Sequence, residues 1–289
     1  IRQVMTGAGL IEAMPNPFLA PDDITKAALI VEEPVRLLNP LAVEESVLRP
    51  SLLPGLLTAV AYNYSHRNMG AKLFETGPVF EASEDSSGLP LETEHLAALI
   101  SNADAFAATS LLKDLASTLK LEFQLTNVDG LAGLHPTRGA KINIGDTEVG
   151  SLGEVDPAVL RSYEIEDRCA WLNLRLDLVI EAAISVEGVS YQPVSTFPSS
   201  DVDLAFAVGE QVQASEIEMT LRKAAGEELQ SLHLFDVFRS GQLDEGVRSL
   251  AFSMRLQAKD KTLTDEEVGV VRQRCIEAVE SAHPASLRA

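Results

Sequence analysis

The order of hydrophobic periods after Asp201 constrains the fold of this chain more than any other feature. Val202, Leu204, Phe206 and Val208 alternate with smaller or polar residues, which is typical of a half-buried strand. Further segments then follow in the order helix, strand, strand, helix and short strand, over 216–225, 229–238, 247–257, 264–282 and 285–289. The order β-α-β-β-α-β predicts a ferredoxin-like domain, in which two helices cover one face of a four-stranded sheet.

The other face of that sheet is expected to be open, and the strand patterns predict which side chains it carries. In 247–257 the large apolar residues share one parity, so the opposite parity points outward: Ser249, Ala251, Ser253 and Arg255. In 229–238 both parities contain large apolar residues. We assign His233, Phe235 and Val237 to the core and Leu234, Asp236 and Phe238 to the open face. An acid and an aromatic ring would then lie side by side there.

Residues 1–193 carry a different pattern, with strands over 71–81, 94–102 and 170–178, a hairpin over 141–152, and helices over 52–64 and 109–119. Few parallel crossovers are apparent. The pattern predicts an antiparallel sheet with helices on one side, and hence an α+β chain. The stretch 181–200 has no clear period, so we place the boundary inside it. The expected domains are 1–193 and 194–289.

Charge and cysteine usage exclude several classes of function. The net charge of the 289-residue chain is −20. Residues 194–289 contain 10 Lys and Arg and 16 Asp and Glu, which gives this part a net charge of −6. Residues 1–193 therefore carry a net charge of −14. Such a chain does not coat DNA or RNA by neutralising phosphates, although it can still read bases specifically. The two cysteines and five histidines have no metal-site spacing, and no apolar run approaches the ~20 residues of a membrane span. We expect an excerpt of a longer cytoplasmic protein.

Six longer motifs stand out along the chain, three of them in its last hundred residues and three upstream. In the last hundred residues these are FPSSDVDLAFAV (197–208), LFDVFRSGQLDEGVRSLAF (234–252) and KTLTDEEV (261–268). Upstream lie LRPSLLPGLLTAVAYNYSHRN (48–68), KLFETGPVFE (72–81) and LHPTRGAKINIGDTEVGSLGEVDPAVL (134–160). In this order the motifs resemble those of the bacterial phenylalanyl-tRNA synthetase beta subunit. The resemblance implies the C-terminal portion of that subunit: a catalytically inactive class II synthetase-like domain, then a ferredoxin-like anticodon-binding domain.

The resemblance also implies a division of labour with a catalytic alpha subunit. Strand 72–81 has Glu75 and Glu81 where an active class II synthetase needs a phosphate-binding arginine, and 170–180 contains no glycine. We therefore expect no catalytic residue, metal or cofactor in this chain. The whole (αβ)₂ enzyme would use ATP and Mg. Arg49 and Arg67 are interpreted as surface or interface ion-pair residues.

Carried over by position, the resemblance makes Asp236 and Ser249 hydrogen-bond partners of the guanine at the first anticodon position of phenylalanine tRNA. Phe238 takes the stacking position, where relatives often have tyrosine. Arg239, Arg248 and Arg255 could meet the RNA backbone. Val202 replaces an arginine common in relatives.

Two alternatives stay open from the sequence. One is a protein-interaction scaffold that makes no RNA contact, which the net charge of −6 beyond Val194 favours. The other is a self-contained class II ligase acting on a small amino acid.

Overall fold

The computed structural model describes residues 1–83, 88–185, 195–239 and 246–288. The chain divides into two compact units, Ile1–Gly188 and Val189–Ala289. The expected boundary at 193/194 lies outside the described residues and stays a prediction.

The described part of the first unit is built on a seven-stranded sheet. Its helices are α1 (Arg2–Gly7), α2 (Pro21–Lys26), α3 (Leu53–Ser65), α4 (Ala105–Leu119), α5 (Pro157–Ser162) and α6 (Leu176–Ser185). Its strands are β1 (Ile11–Glu12), β2 (Phe18–Leu19), β3 (Val47–Leu48), β4 (Lys72–Glu81), β5 (Leu91–Ser101), β6 (Gln124–Asn127), β7 (Leu134–Ile144), β8 (Thr147–Val155) and β9 (Cys169–Arg175). The strand order is β1-β4-β5-β9-β8-β7-β6, in which β1 runs parallel to β4 and the other neighbours are antiparallel.

Helices cover both faces of this sheet, so the expectation of helices on one side was wrong. Leu73 packs in the core cluster that contains α3 and α5, whereas the next residue, Phe74, packs in the cluster of α1, α4 and α6. In β5 the consecutive residues 96–101 are all buried, which is typical of a strand covered on both faces. The expected strand 170–178 was also too long, because β9 ends at Arg175 and α6 begins at Leu176.

The second unit confirms the ferredoxin-like prediction. It contains β10 (Ser200–Gly209), α7 (Ala214–Ala225), β11 (Leu229–Phe238), β12 (Val247–Leu256), α8 (Asp265–Ala282) and β13 (Ala285–Leu287). The sheet order is β11-β12-β10-β13 and every neighbouring pair is antiparallel. Its core encloses Phe206 and Phe252, which are 0% exposed, beneath α7 and α8. Within the described residues of this unit, no helix packs on the other face of the sheet.

A capping box starts α8. The Thr264 hydroxyl accepts from the Glu267 backbone N–H at 3.3 Å, and the Glu267 carboxylate accepts from the Thr264 N–H at 3.0 Å. Each contact satisfies a backbone donor that would otherwise lack a partner at the helix start. The capping box therefore defines where α8 begins, after the chain has left β12.

Candidate nucleic-acid interface

Strand β12 sets the two faces of the C-terminal sheet. Leu250, Phe252, Met254 and Leu256 are 0% exposed and belong to the core. Side chains of the opposite parity therefore lie on the open face, as expected: Ser249, Ala251, Ser253 and Arg255. We call this surface the open face.

A β-bulge decides which residues of β11 reach the open face. Leu234 pairs with Phe252, but the next register pair is Asp236 with Ala251, so Phe235 is an extra residue without a partner. Because paired residues share a face, Leu234 lies on the core side and Asp236 on the open face.

The expected assignment was therefore wrong for three residues of this strand. His233 faces outward opposite Ser253, Leu234 faces the core, and Phe235 occupies the bulge with 53% of its surface exposed. Strict alternation fails there because the bulge shifts the parity by one residue.

Three of the candidate site residues come together at one end of the open face. Phe238 pairs directly with Ser249, and Asp236 precedes Phe238 by two residues on the same face. The Asp236 carboxylate is exposed and has no hydrogen bond or ion pair within the described part of the chain. Phe238 is 39% exposed, whereas Ser249 is only 4% exposed although it lies on the open face. An unpaired acid, a ring and a hydroxyl thus share one small surface.

The three candidate arginines do not share that surface equally. Arg239, just after β11, forms an ion pair with Glu210 at 2.7 Å, and its hydrogen bond lowers the pKa of Glu210. Arg255 binds Asp201 through two hydrogen bonds of 2.7 and 3.0 Å, which lower the pKa of that carboxyl. It lies on the open face, but six residues along β12 from Ser249, or about 20 Å.

Arg248 lies on the other side of the sheet. It pairs with Val208, a core residue, and its Nη2 donates to the Val212 carbonyl at 2.7 Å. Its Nε is buried without a hydrogen-bond partner in the described structure. Arg248 therefore does not join Asp236, Phe238 and Ser249. Val202 likewise faces the covered side, opposite Met254, so an arginine at that position would not reach the open face.

Arg288 lies next to the candidate site, although the sequence did not point to it. It follows β13, and its backbone N–H donates to the Ala205 carbonyl at 2.7 Å. Its guanidinium carbon lies 5.2 Å from the centroid of the Phe238 ring, within the range of a cation–π contact. Only the register of β13 on β10 brings this arginine toward Phe238, although alternation from Ser286 could have indicated the correct face.

In the first unit, Arg49 forms a buried ion pair with Glu75. Its Nη1 lies 2.5 Å from the Glu75 carboxylate, its Nε donates to the Pro78 carbonyl at 2.8 Å, and the two side chains are 5% and 4% exposed. Burial raises the pKa of Glu75 above its ordinary value of 4.5, and Arg49 opposes that shift. The second oxygen, Oε2, is buried without a hydrogen bond in the described structure. The ion pairing expected of Arg49 is thus present, but in the core.

A second buried carboxylate, Glu154, is held by two arginines at the surface. Burial pushes its pKa upward, but hydrogen bonds from Arg168 and Arg138 outweigh burial and leave the pKa of Glu154 below its ordinary value. The Arg138 contact is 2.9 Å long. Both oxygens of the Glu154 carboxylate thus accept hydrogen bonds from these arginines.

Within the described ranges, no group of three or more His, Cys, Asp or Glu side chains is arranged so that it could hold a metal ion. Both cysteines are free and buried, and burial raises the pKa of Cys169 to about 12. None of the helices in the described ranges is long and apolar enough to cross a membrane.

Comparison with known proteins gives a consistent assignment. Residues 1–176 match the family model of the phenylalanyl tRNA synthetase beta chain CLM domain, and residues 195–288 match that of the ferredoxin-fold anticodon binding domain. The phenylalanine–tRNA ligase beta subunit of Geobacillus kaustophilus is 33% identical over 100% of this chain, and that of Clostridium acetobutylicum is 31% identical over 100%. The chain spans 37% of the length of each relative.

The fold of part of the chain also has a counterpart among solved structures. A pyrrolysyl tRNA synthetase from Desulfitobacterium hafniense aligns with a TM-score of 0.50 and 18% identity, covering 63% of each chain. This likeness concerns the fold alone. The two family models, together with the similarity to these relatives over the whole of this chain, show that the chain belongs to the phenylalanyl-tRNA synthetase beta chain family.

Proposed function

We propose that this chain is the non-catalytic C-terminal part of the beta subunit of a cytoplasmic phenylalanine–tRNA ligase. Its second unit binds the anticodon of phenylalanine tRNA, and its first unit supports assembly with a catalytic alpha subunit. ATP and Mg act elsewhere in the whole enzyme. The observation that carries the proposal is the exposed Asp236 carboxylate beside the Phe238 ring. Among the described residues of this unit, Asp236 has no partner and no helix packs on its face of the sheet.

The chemistry of these two side chains suits a guanine. A carboxylate accepts hydrogen bonds, and guanine offers two neighbouring donors, N1–H and N2–H₂, on its Watson–Crick edge. An aromatic ring beside the acid stacks on the base, which is worth about 1–3 kcal/mol. Because Asp236 has no partner within the described residues, it needs to break no existing contact before it accepts these donors.

The acidic charge of the domain indicates that base contacts, rather than phosphate neutralisation, supply most of the affinity. Arg239 and Arg255 are engaged with Glu210 and Asp201, so either must leave a carboxylate to bind a phosphate. We therefore expect binding to depend less steeply on salt than in a protein that neutralises six to ten phosphates.

The first unit offers an apolar groove for the alpha subunit. Met14, between β1 and β2, and Tyr62, on α3, are 90% and 65% exposed and line a groove of about 490 Å³. Leu38 and Leu41, in the segment that leads to β3, are 100% exposed. Large apolar side chains that are exposed in one groove, as Met14 and Tyr62 are, mark protein interaction surfaces. This groove supports a role in subunit assembly.

Catalysis by the first unit alone is disfavoured by its charge arrangement. Strand β4 carries Glu75 where a phosphate-binding arginine would be needed. That glutamate forms a buried ion pair with Arg49. A scaffold without RNA contact remains the second candidate, because the net charge of −6 beyond Val194 repels phosphate.

The test is aminoacylation by the complete αβ enzyme that carries Asp236→Ala. Charge-assisted hydrogen bonds are worth about 1.5–3 kcal/mol, so we expect kcat/KM for phenylalanine tRNA to fall roughly 10- to 100-fold. Asp203→Ala is the matched control, because Asp203 is an exposed acid of the same face, opposite Ser253. Pyrophosphate exchange, which needs no anticodon, should be unchanged in both variants. Unchanged kcat/KM in Asp236→Ala would favour the scaffold.

A further inference from the structure

Two rows of small residues cross the open face between its edge strands. The first row runs over four strands as Phe238, Ser249, Ala207 and Ser286. The second begins as Asp236, Ala251 and Ala205, and ends at Arg288, whose N–H donates to the Ala205 carbonyl at 2.7 Å. Three strand spacings of about 4.8 Å separate the edges, so the rows form a shallow trough about 14 Å wide. One rim carries Asp236 and Phe238, and the other carries Arg288.

Arg288 extends across this trough to the opposite rim. Its guanidinium carbon is 5.2 Å from the Phe238 centroid, and only alanine and serine side chains lie between the two edges. Arg239 and Arg255 are tied to carboxylates, whereas Arg288 has no ion pair within the described part of the second unit. Its charge is therefore available to a ligand bound on the open face.

The Arg288 guanidinium occupies the space beside the Phe238 ring in the free protein. Phe238 is the cross-strand partner of Ser249, which is 4% exposed. A base that stacks on Phe238 where the guanidinium now lies must therefore displace Arg288, whereas the exposed Asp236 can be reached first.

We infer that Arg288 completes the base-binding site by closing on the outer face of the base that stacks on Phe238. This inference rests on the proposed anticodon-binding function and adds a specificity-determining residue to it. A base is about 3.4 Å thick, so a ring and a guanidinium on its two sides stand about 7 Å apart. Starting from 5.2 Å, the guanidinium needs to lift by about 2 Å, which rotation of a long side chain supplies while the backbone stays on Ala205.

The experiment measures binding of an anticodon stem-loop RNA to the αβ enzyme at fixed salt. One RNA carries guanine at the first anticodon position, and a second lacks that base but keeps every phosphate. We expect Arg288→Ala to weaken binding of the guanine RNA about tenfold and that of the abasic RNA less than about twofold. Arg288→Lys keeps the charge but loses the planar stack, so it should recover only part of the affinity. Arg272→Ala, which removes an exposed charge from α8 on the covered side, is the matched control.

Each other outcome overturns the inference in a distinguishable way. Equal losses on both RNAs would assign Arg288 to a phosphate, and no loss on the guanine RNA would exclude it from the site. If the unmodified enzyme itself fails to prefer guanine over the abasic RNA, the proposed function fails before any variant is compared. If Arg288→Ala changes the melting temperature of the enzyme, the inference is tested with Arg288→Lys instead. The quantity compared is again the affinity for the guanine RNA relative to that for the abasic RNA.

Discussion

The buried pair of Arg49 and Glu75 makes a pH-dependent prediction about the stability of the first unit. Arg49→Met fills similar space but leaves the Glu75 carboxylate, 3% exposed, without a donor. The Pro78 carbonyl also loses the hydrogen bond of 2.8 Å that it accepts from Nε. Breaking one side of a buried ion pair costs about 3–5 kcal/mol of unfolding free energy. The double variant Arg49→Met, Glu75→Met removes both charges and should lie within about 1 kcal/mol of the parent, or above it.

The cost should grow with pH. Burial already raises the pKa of Glu75 above 4.5, and Arg49 is the group that lowers it, so the single variant raises that pKa further. A carboxyl whose native pKa exceeds its unfolded value contributes stability that is fully present below the unfolded value. That stability is lost as pH rises through the native value. Arg49→Met should therefore lose less stability at about pH 5 than at about pH 8, and the double variant should not share this trend.

Urea unfolding followed by the fluorescence of Trp171 measures this prediction. Trp171 is the single tryptophan of the chain and is 4% exposed in the core of the first unit, so it reports that unit. Arg138→Met is the control, because Arg138 is half exposed and Glu154 keeps its contact with Arg168. It should cost no more than about 1 kcal/mol. A cost for Arg49→Met below about 1 kcal/mol, or one equal at both pH values, would refute the reasoning.

Two further predictions concern packing in each unit. Gly150→Ala places a Cβ 2.0 Å from the Asn173 carbonyl oxygen on β9. It should lower the unfolding free energy of the first unit, measured by Trp171 fluorescence, by about 1–3 kcal/mol or more. Gly7→Ala, whose Cβ meets nothing within 4 Å, should not lower it. Phe252→Ala empties a site that is 0% exposed in the second unit, at a cost of about 3–5 kcal/mol seen by amide exchange in β10 and β12. The urea midpoint reported by Trp171 should not change. An equal loss of stability there would contradict the division of the chain into two compact units.

The second unit was largely predictable because its periods are clean and its motif is short. Alternation at Leu204, Phe206 and Val208 and the capping box at Thr264 are local signals that tertiary structure did not override. The bulge at Phe235 was not predictable, because both parities of β11 carry large apolar residues and only the partner strand shows where the register shifts. In the first unit, short apolar runs do not distinguish a strand from a helix, which is why β9 and α6 were merged.

The site was predictable in part for the same reason. Asp236 and Phe238 lie two residues apart beyond the bulge, so local parity was enough to place them on one face. The bulge decides that this face is the open one. Arg248 shares the parity of Leu250, and alternation alone could have placed it on the covered side. Arg288 required the long-range pairing of β13 with β10, which no local pattern contains.

The bulge at Phe235 also affects how the domain behaves toward other chains. Strand β11 lies first in the sheet order, so a regular run of ten residues there would offer its backbone N–H and C=O groups to a second copy. The extra residue interrupts that ladder and increases the local twist, so an incoming strand cannot stay in register along the whole edge. The same insertion that turns Asp236 outward for a ligand thus protects the sheet against edge-to-edge aggregation.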